Sequence, residues 1–277
     1  MTQTATEVDF DVHAFVPQQY NRTYYSRVMQ DEAHLVRWQS TALHDAVCHH
    51  LAARGLTRFT HLLEAGAGPA VHHLFALEKY VEAIHVTDFL DANLEEIRGW
   101  VESDPGAHDW RPFVKATLGA EGVHINDSSV HSREDAVRSK ITRFGHLDLK
   151  RPIKAMTTYT APFVSSFFVA DSATNDLTVF RSMTKVLLGM VAPGGLFVGA
   201  YLGGCQRYLV GDRWVDSVNL TREQLSESLS AASAQVLRLS RFETPEMVGE
   251  GYDHIFTVVA TMPEPLAASP LGHRATD

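Results

Sequence analysis

The chain predicts an α/β fold: a mostly parallel sheet of about seven strands, helices on both of its faces, and an N-terminal helical lid. Three observations carry that expectation. Short apolar runs alternate with helical patterns through most of the sequence, the rhythm of βαβ units. One apolar run, Leu62-Leu63, breaks into Glu64-Ala65-Gly66-Ala67-Gly68-Pro69. A second, Ile84-His85-Val86-Thr87, ends on Asp88, about twenty residues on, the distance at which an acid commonly meets the ribose of a bound nucleoside.

The elements follow in order. Residues 31–54 carry Leu35, Trp38, Leu43, Val47 and Leu51 near helical spacing, and Gly55 stops the pattern, so 1–60 reads as a helical cap. A strand into Gly66, a helix ending near Tyr80, the strand into Asp88, a helix over 93–101 and the Asp104-Pro105-Gly106 turn come next. The stretch 126–140, rich in Ser, His and charge, reads as a surface insertion. A strand over 141–147 then ends on Asp148, 162–169 is a buried strand, 176–190 a helix, and Pro193-Gly194-Gly195 turns into a strand over 196–201. A helix over 221–232 and strands near 236–239 and 254–260 complete a cofactor-binding domain over 61–262, and 263–277 reads as a loose tail.

Composition narrows the function. A chain of 277 residues, 45% hydrophobic, can bury one large core. A net charge of −9 without a Lys/Arg run argues against nucleic acid or an anionic membrane, which demand concentrated positive charge; a small-molecule substrate is expected. Cys48 and Cys205 are far apart and lack metal-ligand spacing, so neither a disulfide nor a zinc site is indicated. The histidines show no metal pattern, and His72-His73 read as helix-start residues; no metal is expected. The N-terminus has no basic patch followed by an apolar core, and no run of about eighteen apolar residues occurs. The chain reads as cytoplasmic.

The glycine turn identifies a ligand class. Gly66 and Gly68 let the backbone turn tightly and approach a ligand that a Cβ would repel. Asp88 can accept both ribose hydroxyls, each charge-assisted bond being worth about 1.5–3 kcal/mol. Dinucleotide sites use G-x-G-x-x-G to seat a pyrophosphate on a helix N-terminus, but here Pro69-Ala70-Val71-His72 follow, with no third glycine. Glu64 would repel a pyrophosphate, whereas it suits the α-amino group of S-adenosylmethionine. That cofactor is favoured over NAD, with a turn that binds nothing as the structural alternative.

Pro17-Gln18-Gln19-Tyr20-Asn21-Arg22-Thr23-Tyr24-Tyr25 resembles the P-x-x-Y-x-x-x-Y-Y segment that opens the nicotinamide, phenylethanolamine and thioether (indolethylamine) methyltransferases. Glu64-x-Gly66-x-Gly68-Pro69, Val86-Thr87-Asp88-Phe89 with Asn93-Leu94, Asp109-Trp110 with Pro112, and Ala192-Pro193-Gly194-Gly195 follow in the family's order. The resemblance covers the chain from about Phe15 to Ala260. It implies a Rossmann-like class I methyltransferase fold and S-adenosylmethionine-dependent methyl transfer to nitrogen or sulfur of a small, specialised metabolite. Tyr20 and Tyr25 match tyrosines that close over the methionine end. Glu64, Gly66, Ala67 and Gly68 match the turn beside the cofactor, and His72 lies toward its carboxylate. Asp88, with Phe89 next to it, matches the ribose acid, Asn93 its polar neighbour, and Asp148 with Leu149 the pair bracketing adenine. Phe167 or Phe168 is a candidate to face the sulfonium. Core packing for Tyr20, Tyr25 and Phe167, a strand-end cap for Asp148, and solvent exposure for Asn93 are the alternatives.

The acceptor side departs from the family. Its amine and pyridine enzymes carry a carboxylate at the end of the fifth strand, where this chain has Tyr201. A neutral phenol hydrogen-bonds but cannot pair with an ammonium. Tyr208, Gly211 and Ser217 resemble the substrate-side hairpin, and Cys205 falls where a polar contact belongs. The expected catalytic residues are Tyr201, Tyr208 and Tyr24, and the expected substrate contacts Tyr201, Cys205, Tyr208 and Ser217; nicotinamide and catecholamines become poor substrate guesses. Methyl transfer would yield S-adenosylhomocysteine. The loss of the carboxylate admits a second reading, a cyclase in which the cofactor's own amine attacks Cγ to give azetidine-2-carboxylate and methylthioadenosine. A third is a cofactor-binding protein without activity.

Overall fold

The computed structural model describes residues 15–210 and 213–264. Three N-terminal helices, α1 (Pro17–Tyr24), α2 (Gln30–Trp38) and α3 (His44–Ala53), precede the sheet, α2 and α3 being joined by a π-helical turn over Gln39–Leu43. That turn explains an irregularity in the apolar pattern. Trp38 and Leu43 are five residues apart, one too many for an α-helical stripe, and an i→i+5 turn brings both onto the buried face with Leu35, Val47 and Leu51.

The next elements are β1 (Phe59–Ala65), α4 (Leu74–Leu77) running into a 3₁₀ turn over Glu78–Tyr80, β2 (Val81–Asp88), α5 (Asp91–Val101), α6 (Arg111–Ala120) and α7 (Asp127–Lys140). After them come β3 (Ile141–His146), α8 (Pro152–Thr158), β4 (Ala161–Phe167), α9 (Leu177–Gly189) and β5 (Val191–Gly203). A hairpin of β6 (Arg207–Val210) and β7 (Arg213–Asp216), then α10 (Arg222–Ala231), β8 (Gln235–Glu243) and β9 (His254–Thr261), complete the chain. The seven-stranded sheet has the order β3-β2-β1-β4-β5-β9-β8. Its first five strands are parallel and β9 is antiparallel to both neighbours. Both faces are covered, so the central strands are apolar almost throughout. On β4, Phe163 joins the core beneath α2 and α3 while Val164 joins the one beneath α9. The strand order reverses between β1 and β4, and ligands bind beyond the carboxyl ends of strands at such a point.

One expectation is corrected. Residues 126–140 are not a surface insertion but α7, started by a reciprocal capping box between Asn126 and Ser129. The helix buries only Val130 and Val137 among its apolar residues, one stripe a heptad apart, together with Glu134. Its polar side is also engaged: Arg133 pairs with Glu121 at 2.6 Å and Lys140 with Glu78 at 2.6 Å. Neither α6 nor α8 stood out in the apolar pattern. Among the described residues no helix is long and apolar enough to cross a membrane.

Candidate cofactor and acceptor site

The glycine turn is held from β2. The N–H groups of Gly66 and Ala67 donate to the Thr87 carbonyl at 2.9 and 3.0 Å. Gly66 has φ +78°, and a Cβ there would lie 2.6 Å from a Val169 methyl; Gly68 has φ +60° with nothing within 4 Å of its missing Cβ. Only glycine adopts the first without strain and collision, and the second leaves an open approach. Asp88 closes the turn: Oδ2 accepts the Gly68 N–H at 2.8 Å, and Oδ1 accepts the Leu90 N–H at 2.8 Å and Asn93 Nδ2 at 2.9 Å. A carboxylate offers about four acceptor positions, so capacity for a hydroxyl remains. Burial raises the Asp88 pKa, against the pull of these donors. Asn93 is buried and its Oδ1 has no partner among the described residues. Glu64 is buried and accepts from Ser165 Oγ; burial raises its pKa, with His73 and Ser165 opposing. Farther along the strand ends, Phe89 is half exposed, its ring centroid 5.4 Å from that of His146. Asp148 accepts the Lys150 N–H at 2.8 Å and pairs with Arg151 at 3.2 Å, while Leu149 is buried with the α9 core.

The N-terminal tyrosines form a lid stitched to both halves of the site. Asn21 Nδ2 donates to the Pro69 carbonyl at 2.9 Å, tying α1 to the glycine turn. Tyr24 donates to the Leu209 carbonyl at 2.9 Å, tying α1 to the hairpin. The Tyr20 ring centroid is 4.8 Å from Tyr24 and 5.9 Å from Tyr25, and burial pushes its hydroxyl up to about 12. Tyr25 packs against His72, Trp110 and Phe113. His72 is buried, its ring stacked at 14° on Trp110 and its Nε2 3.1 Å from Glu32 Oε2, so the imidazole is aimed at α2. Phe167 stacks on His73 at 4.1 Å, and Phe168 takes φ +57°, a left-handed conformation that is costly for an aromatic residue.

On the side where an acceptor is expected, Tyr201 is fully buried against Phe180, and its hydroxyl has no partner among the described residues. Burial drives its pKa upward, and the neighbouring Asp171 adds to the rise. Asp171 was not singled out by the sequence. It is entirely buried; Oδ2 accepts the Leu202 N–H at 2.7 Å, and Oδ1 is without a partner among the described residues. Burial pushes its pKa from 3.8 up to about 7. Ser217 Oγ donates to the Asp171 carbonyl at 2.9 Å, and the Tyr208 hydroxyl donates to the Ser172 carbonyl at 3.1 Å. Burial takes the Cys205 thiol up to about 11, with Asp171 contributing. Tyr201, Cys205, Tyr208 and Ser217 therefore gather around Asp171. Gly211 lies outside the described residues.

A family model described as NNMT/PNMT/TEMT matches residues 3–262. The chain belongs to the NNMT/PNMT/TEMT family. Mouse (Mus musculus) indolethylamine N-methyltransferase is 27% identical over 230 residues, 81% of this chain and 83% of that protein. Rat (Rattus norvegicus) phenylethanolamine N-methyltransferase is 26% identical over 200 residues, 70% and 68% of the two chains. Among solved structures, an S-adenosylmethionine-dependent methyltransferase from Methanosarcina mazei superposes with a TM-score of 0.51 at 10% identity, covering 76% of this chain and 94% of that one, which shows the shared fold.

This NNMT/PNMT/TEMT member is thus an S-adenosylmethionine-dependent methyltransferase acting on a small molecule. The cofactor suits the residues present: the turn is open at Gly68, Asp88 retains acceptor capacity, and the orphaned Asn93 Oδ1 lies beside it. Asp171, Asn21, Ser165 and Glu32 escaped the sequence reading. For Asp171 a signal did exist: an acid four residues past the last β4 residue, where a parallel strand delivers its loop to the site.

Proposed function

We propose that this enzyme transfers a methyl group to the nitrogen of a small amine held between the lid tyrosines, the β6–β7 hairpin and the loop after β4. The observation that carries the reading is Asp171, a buried carboxyl with one oxygen unpartnered and a pKa raised to about 7 by burial. An amine is a nucleophile only after it loses its proton, and a base is most effective when its pKa lies near the working pH. Asp171 Oδ1 accepts that proton from the ammonium and keeps the nitrogen oriented through the same contact. Bound S-adenosylmethionine supplies an electrophilic methyl group. Gly66, Gly68, Asp88 and Asn93 hold its nucleoside part, Glu64 its amino group, and Tyr20 and Tyr25 cover its methionine end. Tyr208 walls the acceptor, while Tyr24, bonded to Leu209, keeps the lid against the hairpin and excludes water. Cys205 and Ser217 support the loop around Asp171. Holding the two reactants in line is worth roughly 7–11 kcal/mol of barrier.

A cyclase is favoured only by the missing carboxylate at the end of β5, and Asp171, in the loop after β4, offers a carboxyl beside Tyr201. The deciding experiment is a product assay with tryptamine, phenylethanolamine and other small amines as probes. S-adenosylhomocysteine that forms only with an amine present is the expected result. Asp171→Asn should lower kcat by roughly 10²–10⁴-fold and leave cofactor affinity by calorimetry unchanged. Methylthioadenosine released without any amine would sink the proposal.

A further inference from the structure

The floor of the lid holds a group of side chains that methyl transfer does not use. Glu32, from the first turn of α2, meets His72 and His73, from the loop that follows the glycine turn. Glu32 Oε2 stands 3.1 Å from His72 Nε2 and 3.3 Å from His73 Nε2. The side chains are 4%, 1% and 12% exposed. Neither contact has the direction of a hydrogen bond: among the described residues, Oε2 and both Nε2 atoms are buried atoms without a hydrogen-bond partner. The three lone-pair-bearing atoms instead converge, all lying within 4.8 Å of one another. Ligands set about 2.0–2.2 Å from one ion stand roughly 3.0–3.5 Å apart, and the two short separations fall in that range.

Charge points the same way. Glu32 is itself buried, with only the two imidazoles, among the described residues, beside its Oε2. Beside Glu32, Asp31 is also buried, accepting from the Tyr252 hydroxyl at 2.6 Å. Among the described residues no Lys or Arg pairs with either acid. Buried carboxylates without a compensating cation are strongly disfavoured. The rings are also immobilised, His73 under Phe167 and His72 on Trp110. Coordination demands that kind of preorganisation.

We propose that Glu32, His72 and His73 bind one divalent first-row transition ion, zinc by preference, through Glu32 Oε2 and the two Nε2 atoms. Two imidazoles and a carboxylate suit zinc and its neighbours over magnesium or calcium, which favour all-oxygen sites. Three protein ligands leave a coordination position for water or an exchangeable ligand. The ion would lock the start of α2 to the loop that carries the glycine turn, neutralising the acid buried there.

The test uses the whole enzyme, stripped with a chelator and titrated with Co²⁺. The expected result is one equivalent bound per chain, with the intense visible d–d absorption of a four- or five-coordinate ion that Zn²⁺ then displaces. Glu32→Gln and His73→Ala should each weaken binding by roughly 100-fold or more, exceeding the 10–100-fold typical of outer-shell changes. His131→Ala, at an exposed histidine on α7, should bind as the native chain does. If either ligand variant fails to fold, the native protein still decides the matter: Zn²⁺ must raise its melting temperature in a concentration-dependent way. A spectrum identical to that of hydrated Co²⁺, or unaltered binding in folded ligand variants, overturns the site. Because every readout is of binding, the result is independent of whether Asp171 serves as the base.

Discussion

At the β1–β2 end of the site the contacts are short-range and mostly backbone: Gly66, Ala67 and Gly68 are held by Thr87 and Asp88 within one βαβ unit. At the β4–β5 end the groups arrive on side chains from separate segments, and Asp171 Oδ1 and the Tyr201 hydroxyl are buried without partners. A turn whose bonds close on themselves fixes where a ligand sits and tolerates little change. Buried groups lacking partners are a standing cost, relieved when a ligand with the right hydrogen-bonding pattern enters. On the function proposed above, affinity for a common cofactor would belong to the first construction and selectivity for an acceptor to the second.

The strongest challenge to that division is Asp171→Asn. Beyond its effect on turnover, it should change how stability depends on pH. Asp171 binds its proton more tightly folded than unfolded, so the stability it contributes is present at low pH and is lost as pH rises from about 4 through about 7. Asp31, raised by burial to about 6, behaves likewise over the lower part of that window. Denaturant titrations should show the loss between pH 6 and 7 largely removed in Asp171→Asn, leaving the smaller part that Asp31 contributes. A native-like pH profile would mean that Asp171 is not the buried acid described.

Gly66→Ala comes next. The left-handed backbone and the Val169 collision together cost about 3 kcal/mol, and cofactor affinity should fall in parallel, by more than tenfold. A variant that binds and melts like the native chain would show that the turn is plastic. Asp88→Ala should weaken the cofactor by at least about tenfold, or 1.4 kcal/mol, while leaving the amine's KM nearly unchanged; equal losses for both ligands would dissolve the distinction between the two ends. The smallest effect is expected of Tyr201→Phe. Removing a buried hydroxyl that has no partner should raise stability by about 1 kcal/mol, with turnover altered by less than the roughly tenfold that 1.4 kcal/mol of barrier represents. A fall as deep as that of Asp171→Asn would return the acceptor contact to Tyr201.

Legibility followed the same division. Glu64, Gly66, Gly68 and Asp88 were readable because strand, turn and acid repeat at fixed spacing within one unit. Tyr201 was legible only through the family resemblance, which puts a carboxylate at that end of β5, and Asp171 was not, because it reaches Tyr201 from the neighbouring strand's loop. Residues 126–140 have the composition of a surface insertion, and their helix depends on the cap at Asn126 and on ion pairs to Glu78 and Glu121 that come from distant segments. Glu32 and His72 are forty positions apart, a separation with no periodicity to betray it.

The sequence by itself determined the α/β rhythm, the family and the cofactor, since apolar period, glycine placement and a strand-end acid are properties of neighbouring residues and leave a local trace. Only the tertiary structure decided which buried groups share a compartment: that Asp171 joins Tyr201 and Tyr208, and that Glu32 meets His72 and His73. Burial and the convergence of charges depend on distances across strands and helices, and chain order does not encode them.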